Sequence, residues 1–392
     1  MRAPLLLLAL IVGCGSSSDA PTPPTDGGSD AADAFDATPP PVKQGDALYE
    51  KPGPAPVGVA SSKVEDTARG RSLPITIWYP ASEEARAAAA TGVPIESLAG
   101  DQKDAYAKLL VADKVGCANR TAHAAVDAAP VPSGLLPTLV FSHCHSCTRL
   151  SVETMAERLA SHGFLVVAVD HQGNTLWDAL AGKSAELSGA FLAIRAADVQ
   201  FVLDKVLDGT ALPKSLDKRA DPAKVGVFGH SFGGATTGLV LARDPRFRAG
   251  LAIFAPMEND LLPPAKMAEI KVPAGFLLAR EDNSISEIGN NIIRSNFKLG
   301  APPLFLFEIA DAGHWSLADV DGMHTFQAGC GVAERQTEPG TPFVYLDPPG
   351  ARALGASYVT AFFSATLRAD AAAKAFLTTK HPSGLVDAKA RE

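Results

Sequence analysis

Residues 224–241, KVGVFGHSFGGATTGLVL, join a short apolar run to an Ala- and Leu-rich one through a turn with glycines two residues either side of Ser231. The first run has the length and apolar character of a strand buried on both faces, and the second reads as a helix. Passing from one to the other within so few residues demands a tight, strained bend. Gly229 and Gly233 stand where a side chain would block it. The Ser231 hydroxyl would then project above a sheet at a helix N-terminus, where developing negative charge is favoured. A lone Gly-x-Ser-x-Gly recurs by chance as a packing turn. The strand before it and the helix after it make Ser231 a candidate nucleophile.

The rest of the chain repeats this alternation. GRSLPITIWYPAS carries a strand stopped by Pro80, and LLPTLVFSH carries another. SVETMAERLASHG predicts a helix closed by Gly163, followed by the buried strand FLVVAVDH. GAFLAIRAADVQFVLDKVLDG predicts a long amphipathic helix, and GASYVTAFFSATL a closing one. RAGLAIFAP, AGFLLARED and PLFLFEIADAGH are further short apolar strands. Residues 81–133 read as Ala-rich and helical. The alternation predicts an α/β domain of three layers, a mostly parallel sheet flanked by helices on both faces. Such sheets place their chemistry in the loops beyond the carboxyl ends of the strands.

A nucleophilic serine needs a base, and the base needs an acid that orients it. Three histidines follow Ser231 in the sequence. His314 lies in the Gly-preceded loop after the last apolar strand and is the expected base; His324 and His381 read as solvated. Asp282, just past the strand AGFLLA, is the expected acid, with Glu281 beside it and Glu258 or Asp260 in the preceding loop as alternatives. His230 reads as packing, because neighbours in such a turn point apart. Arg195 and Asp198 are spaced about one helical turn apart and read as a structural pair. Phe232, Trp177 and Trp315 are candidates for pocket walls or core.

The net charge of -8, with no Lys/Arg cluster, argues against nucleic acid as a partner. At the other end, Arg2 precedes the apolar run Leu5–Val12, too short to span a membrane, which ends at Gly13-Cys14. This resembles the bacterial lipobox, and it implies an acylated Cys14 as the mature N-terminus, exported and lipid-anchored to the cell envelope. The Ser/Asp/Pro/Gly-rich stretch after it has little to bury and reads as a tether. Outside the cytoplasm the other four cysteines, Cys117, Cys144, Cys147 and Cys330, can form two disulfides, with three connectivities open.

Five pieces in order, RGRSLPITIWYP, LVFSH, VVAVDHQGNT, GHSFGG and AGHWSLAD, resemble the platelet-activating-factor acetylhydrolase and dienelactone-hydrolase-like branch of the α/β-hydrolases. The resemblance implies an α/β-hydrolase fold and cleavage of carboxylic esters with small or oxidised acyl groups, phospholipid esters included; related folds accept polyesters. It implies an oxyanion hole formed by the backbone N–H groups of Phe232 and His145, and loop-shaping roles for Asp170, His171 and Asn174. Cys144 departs from the family by standing where a glycine is usual, and Cys147 stands near the second glycine. The expectation is that a disulfide from Cys144 or Cys147 to Cys117 or Cys330 fixes the loop in place of glycine's freedom. A redox Cys-x-x-C and a zinc site of His143, Cys144, His145 and Cys147 are the alternatives.

The expected organisation is a lipoprotein signal peptide at 1–13, a disordered tether at 14–50, an α/β-hydrolase domain at 51–380 with a helical insertion at about 81–133, and a tail at 381–392. The expected function is a serine esterase with Ser231, His314 and Asp282 as its triad, acting through an acyl-enzyme. It is expected to need no cofactor or metal and to act as a monomer on a small-molecule or lipid ester. Its rivals are a catalytically silent surface-anchored binding protein and an amide or peptide hydrolase.

Overall fold

The computed structural model describes residues 37–39, 41–113, 116–323 and 329–392. Cys14, the signal segment, most of the tether and His324 lie outside these residues. The central sheet contains β1 (Val57–Asp66), β2 (Arg71–Pro80), β3 (Ala125–Val126), β4 (Leu136–Ser142), β5 (Leu165–Val169), β6 (Ala220–His230), β7 (Phe247–Ile253), β8 (Ala274–Ala279), β9 (Leu304–Ile309) and β10 (Val386–Arg391). Their spatial order is β10-β9-β8-β7-β6-β4-β5-β2-β1-β3. Strands β5, β4, β6, β7, β8 and β9 run parallel, while β2 and β10 join antiparallel at the two sides.

Successive residues of the parallel strands serve opposite faces, as the pleat requires. Leu139 and Phe141 belong to one buried cluster and Val140 to the other. The first cluster holds Met155 and Leu159 of α3 (Glu153–Ser161) with Tyr358, Phe362 and Phe363 of α8 (Pro348–Arg368). The second holds Leu192, Val199 and Leu203 of α5 (Gly189–Leu207) with Leu239 and Val240 of α6 (Phe232–Arg243). Each large apolar side chain so buried contributes about 1.5–3 kcal/mol of transfer free energy. With α4 (Leu176–Leu180), α7 (Ser286–Leu299) and α9 (Ala371–Thr378) the result is three layers, with strand order reversing where β4 and β6 lie side by side. That reversal is where ligands bind in open α/β sheets.

Four sequence expectations need correction. Only part of 81–133 is helical: α1 (Arg86–Thr91) and α2 (Lys103–Ala112) are followed by non-helical chain with two-residue strands at Thr121–Ala122 and Ala125–Val126. The region after Asp113 lacks the apolar periodicity of α2, and its alanines carry no stripe of their own. Residues 381–392 are not a loose tail, since β10 pairs along β9 from Leu304 to Ile309 and completes the sheet. His381 is buried rather than solvated, with Nε2 2.8 Å from Glu50 Oε1 and Nδ1 2.7 Å from Ser383 Oγ. The domain also begins before residue 51, because Tyr49 is buried and its hydroxyl donates to Asp370 at 2.7 Å.

Candidate active site

Ser231 joins β6 to α6 at φ 56° and ψ -119°, a left-handed conformation that costs a non-glycine residue about 1–3 kcal/mol. Its backbone is held on both sides: its N–H donates to the Ile253 carbonyl at 2.9 Å, and its carbonyl accepts from Gly234 at 2.7 Å. The flanking glycines are steric necessities. A Cβ on Gly229 would lie 2.2 Å from the Gly233 carbonyl oxygen, and one on Gly233 would lie 1.8 Å from that of Ser142. The bend therefore presses directly on the end of β4.

Strands β8 and β9 pair in register, Ala279 opposite Ile309, so the chain leaves them side by side. Asp282 follows the first and His314 the second. They meet with His314 Nδ1 2.7 Å from Asp282 Oδ2, both buried. Asp282 Oδ1 accepts the N–H groups of Ser284 and Ile285 at 3.0 Å each. With a carboxylate facing Nδ1, that nitrogen carries the proton, and Nε2 keeps its lone pair. His230 links this pair to the bend: its Nε2 donates to the His314 carbonyl at 2.8 Å, and the rings lie 4.9 Å apart. Burial, and then the nearby His314, hold His230 well below the usual histidine range, so it stays neutral as a packing residue. Among the described residues no hydrogen bond joins Ser231 Oγ to His314.

The other carboxylates are engaged elsewhere. Glu281 accepts from Arg335 at 2.6 Å and from the Gln336 N–H at 3.0 Å. Glu258 accepts from Lys266 and the Met267 N–H, and Asp260 from Lys266. Trp315 stands edge-on to His314 and His230, with centroids 5.3 and 5.5 Å away, whereas Trp177 packs on Tyr106 of α2.

The loop after β4 lies against the start of α6, with the His145 and Phe232 rings 6.3 Å apart. Here the cysteine expectation is wrong. The disulfides are Cys144–Cys147 and Cys117–Cys330, not a link from the loop to a distant cysteine. The left-handed residue of the loop is Ser146, at φ 57°, and Cys144 is not left-handed. One positive-φ residue inside a four-residue span curls the loop enough to bring its ends together, with Cα atoms 5.2 Å apart. The two sulfurs bond to each other, and the zinc reading loses its thiolates. His143 is engaged as well: Nε2 accepts the His171 N–H at 3.0 Å and Nδ1 donates to the Cys144 carbonyl at 2.6 Å.

The family described as platelet-activating factor acetylhydrolase, isoform II, matches residues 42–179, and that described as serine aminopeptidase, S33, matches 137–279. Platelet-activating factor acetylhydrolase of Cavia porcellus is 32% identical over 153 residues, 30% of this chain and 34% of the relative. The chain is therefore similar to the platelet-activating-factor-acetylhydrolase-like α/β-hydrolases, and its fold is theirs. Cutinase est1 of Thermobifida alba is 30% identical over 29% of the chain and 33% of the cutinase. The chain thus spans about a third of the length of the curated relatives it matches. A ferulic acid esterase from Streptomyces cinnamoneus shares the fold, with a TM-score of 0.63 and 24% identity over 86% of this chain and 97% of that one.

In this α/β-hydrolase Arg195 and Asp198 do not form the pair their spacing suggests. Both are buried, and they serve different partners. Asp198 accepts from Arg69 at 2.9 Å and from Arg71 at 2.6 Å, while Arg195 donates to Ser142, His143, Asn174 and Thr236. Asp170 accepts the Arg149 N–H at 2.6 Å and also its guanidinium, and so shapes the strand-end loop. The signal overlooked was an arginine within the apolar stripe of α5, since a buried guanidinium must find acceptors.

Proposed function

We propose that the α/β-hydrolase is an exported serine esterase that cleaves carboxylic esters through an acyl-enzyme. The observation that carries this is the buried Asp282–His314 pair at 2.7 Å beside a nucleophile bend with Ser231 at φ 56°. Ser231 Oγ forms the new bond to the ester carbonyl carbon as His314 Nε2 takes its proton. Asp282 stabilises the imidazolium so formed. A Ser–His hydrogen bond that is loose in the free enzyme tightens once substrate is seated. The oxyanion is held by the backbone N–H of Phe232, in the first turn of α6 where no intrahelical partner exists, and by that of His145. Collapse breaks the ester C–O bond, and His314 returns the proton to the leaving alcohol. Water then repeats the sequence in reverse roles, releasing the acid and restoring the serine.

The names of the similar proteins, an acetylhydrolase, a cutinase and a ferulic acid esterase, support carboxylic esters as the substrate class. Short-chain, phospholipid-type and polyester substrates all fit that class. Amide hydrolysis by the same groups is the second reading, favoured by the serine aminopeptidase match over 137–279. Arg2, the apolar run and Cys14 support anchoring by an acylated N-terminus. Purified protein is expected to turn over p-nitrophenyl acetate, with Ser231→Ala slower by about 10⁴-fold or more. A fluorophosphonate is expected to label Ser231. Equal turnover by Ser231→Ala would overturn the proposal, and cleavage of amide but not ester substrates would select the second reading.

A further inference from the structure

Beneath the loop that carries His145 lies a second Ser–His–Asp array, fully buried. Ser142 Oγ is 2.9 Å from His171 Nε2, and His171 Nδ1 is 3.0 Å from Asp198 Oδ2. The direction of each hydrogen bond is fixed by its neighbours. Asp198 also accepts from Arg69 and Arg71 and stays a carboxylate, so His171 Nδ1 donates to it. His171 Nε2 therefore accepts the Ser142 hydroxyl proton, and the Ser142 oxygen accepts from Arg195 Nη2 at 3.0 Å. Burial, and then Arg195, push His171 down to about 3, so the imidazole stays neutral wherever esters are assayed.

This array has a guanidinium where a substrate carbonyl would have to stand. It does no chemistry of its own; it holds Arg195. From that position Arg195 reaches both sides of the proposed oxyanion hole. On the α6 side its Nε donates to Thr236 Oγ1 at 3.3 Å, its plane lies 4.8 Å over the Phe232 ring, and Thr236 donates to the Phe232 carbonyl at 2.8 Å. On the loop side it donates to the His143 carbonyl and to Asn174 Oδ1. That orients the Asn174 amide so that Nδ2 donates to His145 Nδ1 at 2.7 Å, while the Asn174 carbonyl accepts the Ser146 N–H at 3.2 Å.

We infer that Arg195, held by the Asp198–His171–Ser142 relay, is the positioning residue that fixes the spacing between the two oxyanion N–H groups, those of Phe232 and His145. The inference rests on the esterase reading above. A lysine cannot replace it, because one ammonium does not span four acceptors on three elements. The mature chain is tested as wild type, Arg195→Lys, Asn174→Ala and Ser231→Ala, with p-nitrophenyl acetate as substrate and an aryl trifluoromethyl ketone as the oxyanion-forming inhibitor. Asn174→Ala cuts the link to His145 while leaving the guanidinium in place, and it carries the test if Arg195→Lys does not fold.

Both variants are expected to lose about 10- to 100-fold in kcat with KM within about twofold, and to lose ketone affinity by the same factor as kcat/KM. A purely structural role predicts otherwise. Activity would fall only with the folded fraction, and the folded molecules would bind the ketone as wild type does. That pattern, or variants within about twofold of wild type on both readouts, overturns the inference. A wild type that turns over no ester would instead remove the esterase reading, and this inference with it. The wild-type and Ser231→Ala arms tell the two failures apart.

Discussion

Asp282 divides its two oxygens between different tasks, and the division makes a sharp prediction. Oδ1 accepts two backbone N–H groups, from Ser284 and Ile285, while Oδ2 accepts from His314 Nδ1. In Asp282→Asn the amide oxygen must stay at the two N–H groups, because an NH₂ there would face two donors. The NH₂ then faces His314 and can only donate, which forces the histidine proton onto Nε2. The imidazole loses its lone pair on the side where the proposed nucleophile, Ser231, would need a base. The expected outcome is a fall in kcat of about 10⁴-fold with thermal stability near wild type. Glu258→Gln, at a carboxylate engaged by Lys266 and the Met267 N–H, is expected to change kcat less than about twofold. Steady-state kinetics on p-nitrophenyl acetate checks both, and an Asp282→Asn enzyme within tenfold of wild type would remove Asp282 from the triad.

At the scale of elements, helix α3 carries a pH dependence of stability into the core. Glu153, in its first turn, is buried with Oε1 accepting from Trp78 Nε1 of β2 at 3.0 Å. Burial, with Asp319 adding to it, pushes Glu153 up to about 8, and burial together with the neighbouring Glu153 holds Glu157 well above the usual carboxylate range as well. A carboxyl near 4.5 when unfolded and near 8 when folded binds more protons in the native state between those values. The stability contributed by Glu153 is therefore expected to be fully present below about 4.5 and to be lost as pH rises toward about 8. Glu153→Gln keeps the acceptor for Trp78 and removes one of the two titrations, leaving that of Glu157, so its Tm is expected to be flatter with pH and higher than wild type at pH 8. Thermal unfolding across that range is the check; a wild-type profile that rises toward pH 8, unchanged in the variant, would contradict it. The same helix marks how far pattern reaches. Met155, Ala156, Leu159 and Gly163 announced an amphipathic helix, but nothing local announced that Glu153 faces a tryptophan in a strand 75 residues away. The strands buried on both faces were legible as unbroken apolar runs. VGVASSKVED and VDAKAR were not, because strands at or near the sides of the sheet carry polar residues and their pairing is decided by backbone elsewhere. Ser231 and His314 were legible from turn glycines after apolar runs. The Ser142–His171–Asp198 relay was not, since its members come from three elements and share no motif.

For the whole molecule, the two disulfides are expected to act on different properties, stability and the proposed catalysis, because they close very different lengths of chain. Cys117–Cys330 spans 213 positions and Cys144–Cys147 only three, a difference that no local pattern revealed when three connectivities stood open. By the chain-entropy argument the long closure is worth about 5 kcal/mol and the short one about 2 kcal/mol. The long link also ties the chain after α2 to the segment beyond His314: the Cys117 carbonyl accepts from Arg352 of α8 at 2.9 Å, and Gly329, next to Cys330, accepts from Ser316 at 2.6 Å. Its removal loosens the fold at large. The short link holds only the curl of residues 144–147, whose His145 lies against Phe232. Cys117→Ser/Cys330→Ser is therefore expected to lower Tm by about 7 °C, with kcat per folded molecule changed by less than about tenfold. Cys144→Ser/Cys147→Ser is expected to lower Tm by only a few degrees but kcat by about 10²-fold, because a donor displaced from the oxyanion loses most of its worth. Calorimetry and esterase kinetics on the two double variants decide the matter. If the loop variant keeps wild-type kcat while the long-range variant loses it, the short disulfide is not what holds the oxyanion loop in shape.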